Sequence, residues 1–139
     1  MHKQIYINLA VDDLERSKAF FSALGLSFEP RFSNEQAACL VLGENIFAML
    51  LVKNMFKDFT HKPLADPKTG TEVLVCLSCE SREEVDALVA KALAAGGTAP
   101  RAPQDHGFMY GHGFEDPDGH IWELAYMDPN AQPPAAAQA

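Results

Sequence analysis

The chain has 139 residues, 47% of them hydrophobic and 22% charged, with a formal net charge of −8. That length suits one ordinary folded domain with a real core. So acidic a surface, with no basic run in it, disfavours a nucleic-acid partner. The apolar stretches are strand-sized, which disfavours a membrane span.

Residues 4–11 alternate as a strand does, with Tyr6, Asn8 and Ala10 on one face and Ile5, Ile7, Leu9 and Val11 on the other. The second face is apolar throughout and is expected to pack on helices. Asp12 is placed as the helix N-cap, with Glu15 reaching back to it. The helix runs over about 13–24, carries Leu14, Phe20, Phe21 and Leu24 as its stripe with Ala19 filling a gap, and stops at Gly25. Three strands follow at 27–32, 37–42 and 46–52, the last two joined by a turn at Gly43-Glu44-Asn45.

Residues 53–71 read as a connecting loop with one short helical turn, pinned by Phe56 and Phe59. The pattern then repeats. A strand spans 72–79. Ser81 and Glu84 make a capping box, and Val85, Leu88, Val89, Ala92 and Leu93 form an amphipathic stripe that ends at Gly96-Gly97. Strands are expected at 98–102, 108–115 and 121–127, with Asp116-Pro117-Asp118-Gly119 as the turn before the last. Residues 128–139 carry no core pattern and are expected to be a flexible tail. The start Met1-His2-Lys3-Gln4 lacks the apolar region of a signal peptide, and the cytoplasm is the expected location.

The two halves therefore have the same order, and each needs the other to bury its faces. The fold class expected from this order is α+β, built of two βαβββ modules. Module one covers about 4–52, module two about 72–127, within a single domain of 1–127.

Cys39, Cys76 and Cys79 lie among apolar, strand-like residues. The C-x-x-C spacing of Cys76 and Cys79 falls inside a strand, which sends the two thiols to opposite faces. A redox pair needs a helix N-terminus and a zinc site needs more ligands, so all three read as small core residues. His106, His112 and His120 crowd the last hairpin, yet alternation separates His120 from Glu123. His112 lies between Gly111 and Gly113, where backbone approaches closely. Trp122, opposite in face to Glu123, is expected against a helix. Arg101 is either an anchor for an anionic ligand group or a solvated charge.

Val11-Asp12-Asp13-Leu14-Glu15-Arg16-Ser17, Phe20-Phe21, Leu24-Gly25-Leu26 and the closing Asp116-Pro117-Asp118-Gly119-His120-Ile121-Trp122-Glu123-Leu124 resemble the glyoxalase / bleomycin-resistance / dioxygenase family, the vicinal oxygen chelate superfamily. The resemblance covers about residues 4–127. It implies two strand quartets forming a curved, cup-like mixed sheet with helices on the outer face, and a homodimer that completes the cups. In metal-using members four inward side chains hold a divalent ion that stays open to substrate. The matching positions here are Tyr6, Met49, Leu74 and Glu123. Only Glu123 is a conventional ligand. Glu72 is the nearest alternative to Leu74.

The resulting expectation is a small-molecule pocket lined by Tyr6, Asn8, Phe47, Met49, Leu74, Cys76 and Glu123, with a degenerate metal site. The protein is then a ligand binder or a metal-independent enzyme, with Glu123 as candidate base and His112 or Tyr6 as its partner. The alternative is a divalent-metal-dependent lyase of the lactoylglutathione-lyase type or an extradiol-type dioxygenase.

Overall fold

Apolar alternation in short segments and two capped amphipathic helices produce a repeated order, seen in a computed structural model that describes residues 1–131. The class is α+β. The chain divides into two compact units, Met1–Gly70 and Thr71–Ala139. Each is a four-stranded mixed sheet with a helix on one face.

In the first unit, β1 (Ile5–Val11) runs parallel to β4 (Ile46–Val52), and β3 (Ala37–Gly43) and β2 (Ser27–Glu29) follow antiparallel, giving the order β1-β4-β3-β2. Helix α1 (Leu14–Ala23) packs on β3 and β4. Leu9, Val11, Ala38, Leu40, Ala48 and Leu50 are buried on that face. Ile5 shares the face but is 52% exposed. A helix of this length covers only about 15 Å of a strand about 23 Å long, so the far end stays outside its reach.

Asp13, not Asp12, caps α1: its backbone is extended and its side chain accepts from the Arg16 N–H. Asp12 still belongs to the strand exit, and Lys53 binds it at 2.6 Å, which holds its carboxyl below the usual range. Ser17, not Ala19, fills the stripe, its hydroxyl donating to the Asp13 carbonyl. The helix ends at Gly25 with φ +91, where the N–H groups of Gly25 and Leu26 return to Ser22 and Phe21. Only a residue without Cβ adopts this turn cheaply. The strand expected to 32 stops at Glu29, because Pro30 has no N–H to give; a 3-10 turn, Pro30–Phe32, replaces its end. The connecting segment holds two short turns rather than one, α2 (Lys53–Phe56) and a 3-10 turn at Lys57–Phe59. Phe59 is 67% exposed and pins nothing.

The second unit repeats the plan in the order β5-β8-β7-β6: β5 (Leu74–Cys79) runs parallel to β8 (Ile121–Met127), and β7 (Met109–Glu115) and β6 (Gln104–Asp105) follow antiparallel. Helix α3 (Arg82–Ala94) starts with the capping box: Ser81 accepts from the Glu84 N–H, and Glu84 accepts from the Glu80 N–H. Its buried stripe is Val85, Val89 and Ala92, while Leu93 is exposed. It ends as α1 does, with Gly96 rather than Gly97 at positive φ. No strand forms at 98–102. Thr98 alone bridges Glu115, and Pro100 and Pro103 deny the intervening residues regular pairing.

The Asp116-Pro117-Asp118-Gly119 turn is an anchor as well as a bend. Asp116 is 5% exposed. One oxygen accepts from the Asp118 and His120 N–H groups, the other from Trp122 Nε1 at 2.9 Å. Burial raises its carboxyl pKa, opposed by the His120 charge and the Trp122 bond. The fold therefore penalises its ionised form, and its contribution to stability is greatest at acid pH and is lost as pH rises through the raised value. Trp122, 1% exposed, packs on the helix side as its alternation predicts.

Of the expected tail, residues 128–131 form a turn tied by the Asp128 N–H to the carbonyl of Phe108, just ahead of β7; residues 132–139 lie outside the described residues. No helix among the described residues is long and apolar enough to cross a membrane.

Asp116→Ala should lower unfolding stability by about 2–4 kcal/mol, because it strands two backbone N–H groups and the Trp122 indole N–H. Urea titration followed by Trp122 fluorescence measures it; a loss below about 0.5 kcal/mol would show that the anchor is dispensable.

Candidate functional site

Alternation along β8 sends Trp122 and Leu124 to the helix side and Ile121, Glu123 and Ala125 to the opposite face of the same sheet. That second face holds a cavity of about 360 Å³, contained in the second unit. Glu123 lies directly between Cys76 on β5 and Gly113 on β7. Among the described residues its carboxylate makes no hydrogen bond or ion pair.

The two glycines of β7 explain the space. Gly111 and Gly113 fall on the cavity face, and neither supplies a side chain. A Cβ on Gly113 would sit 2.9 Å from the Trp122 carbonyl and close to the Glu123 side chain; on Gly111 it would meet only the Leu124 carbonyl at 3.5 Å. Gly113 is thus required by the close approach of β8, and Gly111 is not.

Leu74 and Cys76 line the cavity. Cys76 is exposed there, whereas Cys39 and Cys79 are buried, so only those two are core residues. Burial, then the charge of Glu123, raises the Cys76 thiol pKa. Burial and the Glu84 hydrogen bond push Cys79 up to about 12. All three cysteines are free.

His112 pairs across from Leu124, one residue out of phase with Glu123. Its Nε2 lies 3.0 Å from the Arg101 carbonyl oxygen, so the ring fastens the proline-flanked segment to β7. His120 is buried, with Nδ1 2.9 Å from Glu72 Oε1. His106 lies beside Gln104. The three histidines of the hairpin thus have separate partners. Glu115 was missed in the sequence. Its place on the cavity face follows from the same alternation that places Gly113 and Glu123, once the hairpin register is known.

Tyr6, Asn8, Phe47 and Met49 share one face of the first unit's sheet. Tyr6 neighbours Phe47, their rings stacked at 5.0 Å between centroids, and Asn8 neighbours Met49.

This order of elements, carried twice, has a counterpart among known proteins. The family model described as Glyoxalase/Bleomycin resistance protein/Dioxygenase superfamily matches residues 3–124. The chain belongs to that superfamily. A hypothetical protein from S. aureus is 29% identical, with a TM-score of 0.77 over 91% of this chain and 94% of that one. A glyoxalase-related enzyme from Fulvimarina pelagi is 23% identical, with a TM-score of 0.76 over 96% and 94%. A fosfomycin resistance protein from Listeria monocytogenes is 19% identical, with a TM-score of 0.67 over 95% and 96%, and these last two likenesses show the fold. No curated protein matches the chain significantly.

The positions that the family resemblance implies for metal ligands are Tyr6 and Met49 in the first unit and Leu74 and Glu123 in the second. The Tyr6 hydroxyl donates to Gln4 Oε1, Met49 offers a soft thioether, and Leu74 offers no donor. Glu72, the nearest substitute, is occupied by His120. One hard oxygen ligand does not suit a divalent ion that prefers several oxygens or nitrogens. Among the described residues no three His, Cys, Asp or Glu side chains are grouped to hold a metal ion.

In the folded protein, iodoacetamide should modify Cys76 alone, slowly at neutral pH and faster as pH rises toward its raised pKa. Glu123→Gln should speed the reaction at fixed pH by removing the neighbouring charge. Peptide mass spectrometry reads both; labelling of Cys39 or Cys79 without denaturant would contradict the burial assigned to them.

Proposed function

We propose that the protein binds a small organic molecule in the cavity of its second module, without a divalent ion held at the superfamily's ligand positions. Glu123 is the group that accepts a hydrogen bond from the ligand, and a proton if the ligand reacts. One observation carries this: a carboxylate without a protein partner faces a cavity whose floor, at Gly111 and Gly113, has no side chains. A half-buried carboxylate left unpaired beside an apolar wall is a ready hydrogen-bond acceptor. His112 acts as scaffold, holding the Arg101 segment, rather than as a partner of Glu123. A homodimer accompanies this reading by family resemblance.

Thermal shift and calorimetry against a fragment library should find ligands whose affinity is unchanged by EDTA. Glu123→Gln should weaken binding about tenfold, about 1.4 kcal/mol. The opposing reading, a metal-dependent lyase or dioxygenase, predicts a stoichiometric divalent ion in protein purified without chelator and its loss in Glu123→Ala; that result would overturn the proposal.

A further inference from the structure

Arg101 occupies a stretch that flanks β7 between two pairing points, Thr98 with Glu115 and Gln104 with Gly111. It lines the cavity, and no lysine or second arginine does. Its guanidinium makes no hydrogen bond or ion pair with any described residue. Arg31 and Arg82, by contrast, pair with Glu29 and Asp105. In a chain of net charge −8, acidic partners are plentiful, yet this arginine has none among the described residues.

Arg101 and Glu123 both line the cavity, and so do Gly111 and Gly113, which carry no side chains. Glu115, diagonal to Glu123 on the same face, likewise makes no ion pair among the described residues. Leu74, Met109 and Ile121 supply apolar surface around these groups.

We propose that this cavity selects amphoteric molecules with an acid at one end and a protonated amine at the other, joined by a short apolar body. The acid binds the Arg101 guanidinium, whose planar fork matches a carboxylate. The body lies over Gly111 and Gly113, and the ammonium meets Glu123. Two carboxylates against one guanidinium leave the cavity net negative, which disfavours a ligand that carries only acid groups. This rests on the reading that the second module's cavity is the ligand site.

A matched set tests it: 4-(aminomethyl)benzoate with both ends, 4-methylbenzoate with the acid alone, and 4-methylbenzylamine with the amine alone. The amide signals of Gly111 and Gly113 in ¹⁵N NMR spectra of the full chain report occupancy. We expect 4-(aminomethyl)benzoate to bind about tenfold or more tightly than either single-ended probe. Arg101→Gln should weaken the two acid-bearing probes about tenfold and leave 4-methylbenzylamine unchanged, with Arg101→Lys intermediate. If the probes shift those amides with equal affinity, or Arg101→Gln leaves every affinity unchanged, the cavity reading stands and the amphoteric selection falls. Equal weakening of all three probes by Arg101→Gln would mean a structural role and would also overturn it. If none of the probes moves either glycine amide, both readings fall together.

Discussion

The register of the last hairpin governs everything that can happen on the second module's open face. Asp116 holds it through three donors, two from the turn backbone and one from the Trp122 indole. Side chains in a strand alternate with a period of two, so a slip of one residue would carry Trp122 into solvent and Glu123 into the helix interface. A large apolar side chain and a carboxylate in adjacent positions make that slip costly in both directions. The anchor therefore fixes the chemistry of the cavity without touching it.

The two modules share a frame and differ in what it carries. Both pair their first and last strands in parallel, and both end the helix on a glycine at positive φ whose neighbours close the last turn. The open face of the first module holds the stacked Tyr6 and Phe47 rings with Asn8 and Met49 beside them. The corresponding face of the second holds Glu123, Cys76 and bare backbone. One has aromatic bulk; the other has room and charge.

The frame was legible in the sequence because it rests on local rules. Alternation placed β4 and β8 to the residue, and the Ser81–Glu84 box and the glycine stops bounded α3. Errors arose where local rules competed. Of two adjacent aspartates the pattern picked Asp12 as N-cap, whereas Asp13 takes that place and Lys53 binds Asp12. Prolines shortened the second strand of one module and displaced that of the other, because a missing N–H outweighs strand-like neighbours. In the site, alternation placed Glu123 and Cys76 on one face. His112 lies out of phase with Glu123 by the same rule, whereas its hold on the Arg101 carbonyl, and that of Glu72 on His120, depends on contacts between segments that spacing does not reveal.

The unequal clearances beneath the two β7 glycines bear on how such a cavity diverges. At position 113 the opposing carbonyl forbids even a methyl group without moving β8, whereas at 111 the nearest backbone atom leaves ordinary contact distance. Drift can therefore reshape the floor one methyl at a time through a single gateway, while the neighbour two residues on stays frozen. Descendants would inherit the same acid in the same place beneath a wide range of volumes, which is how one scaffold comes to serve unlike molecules.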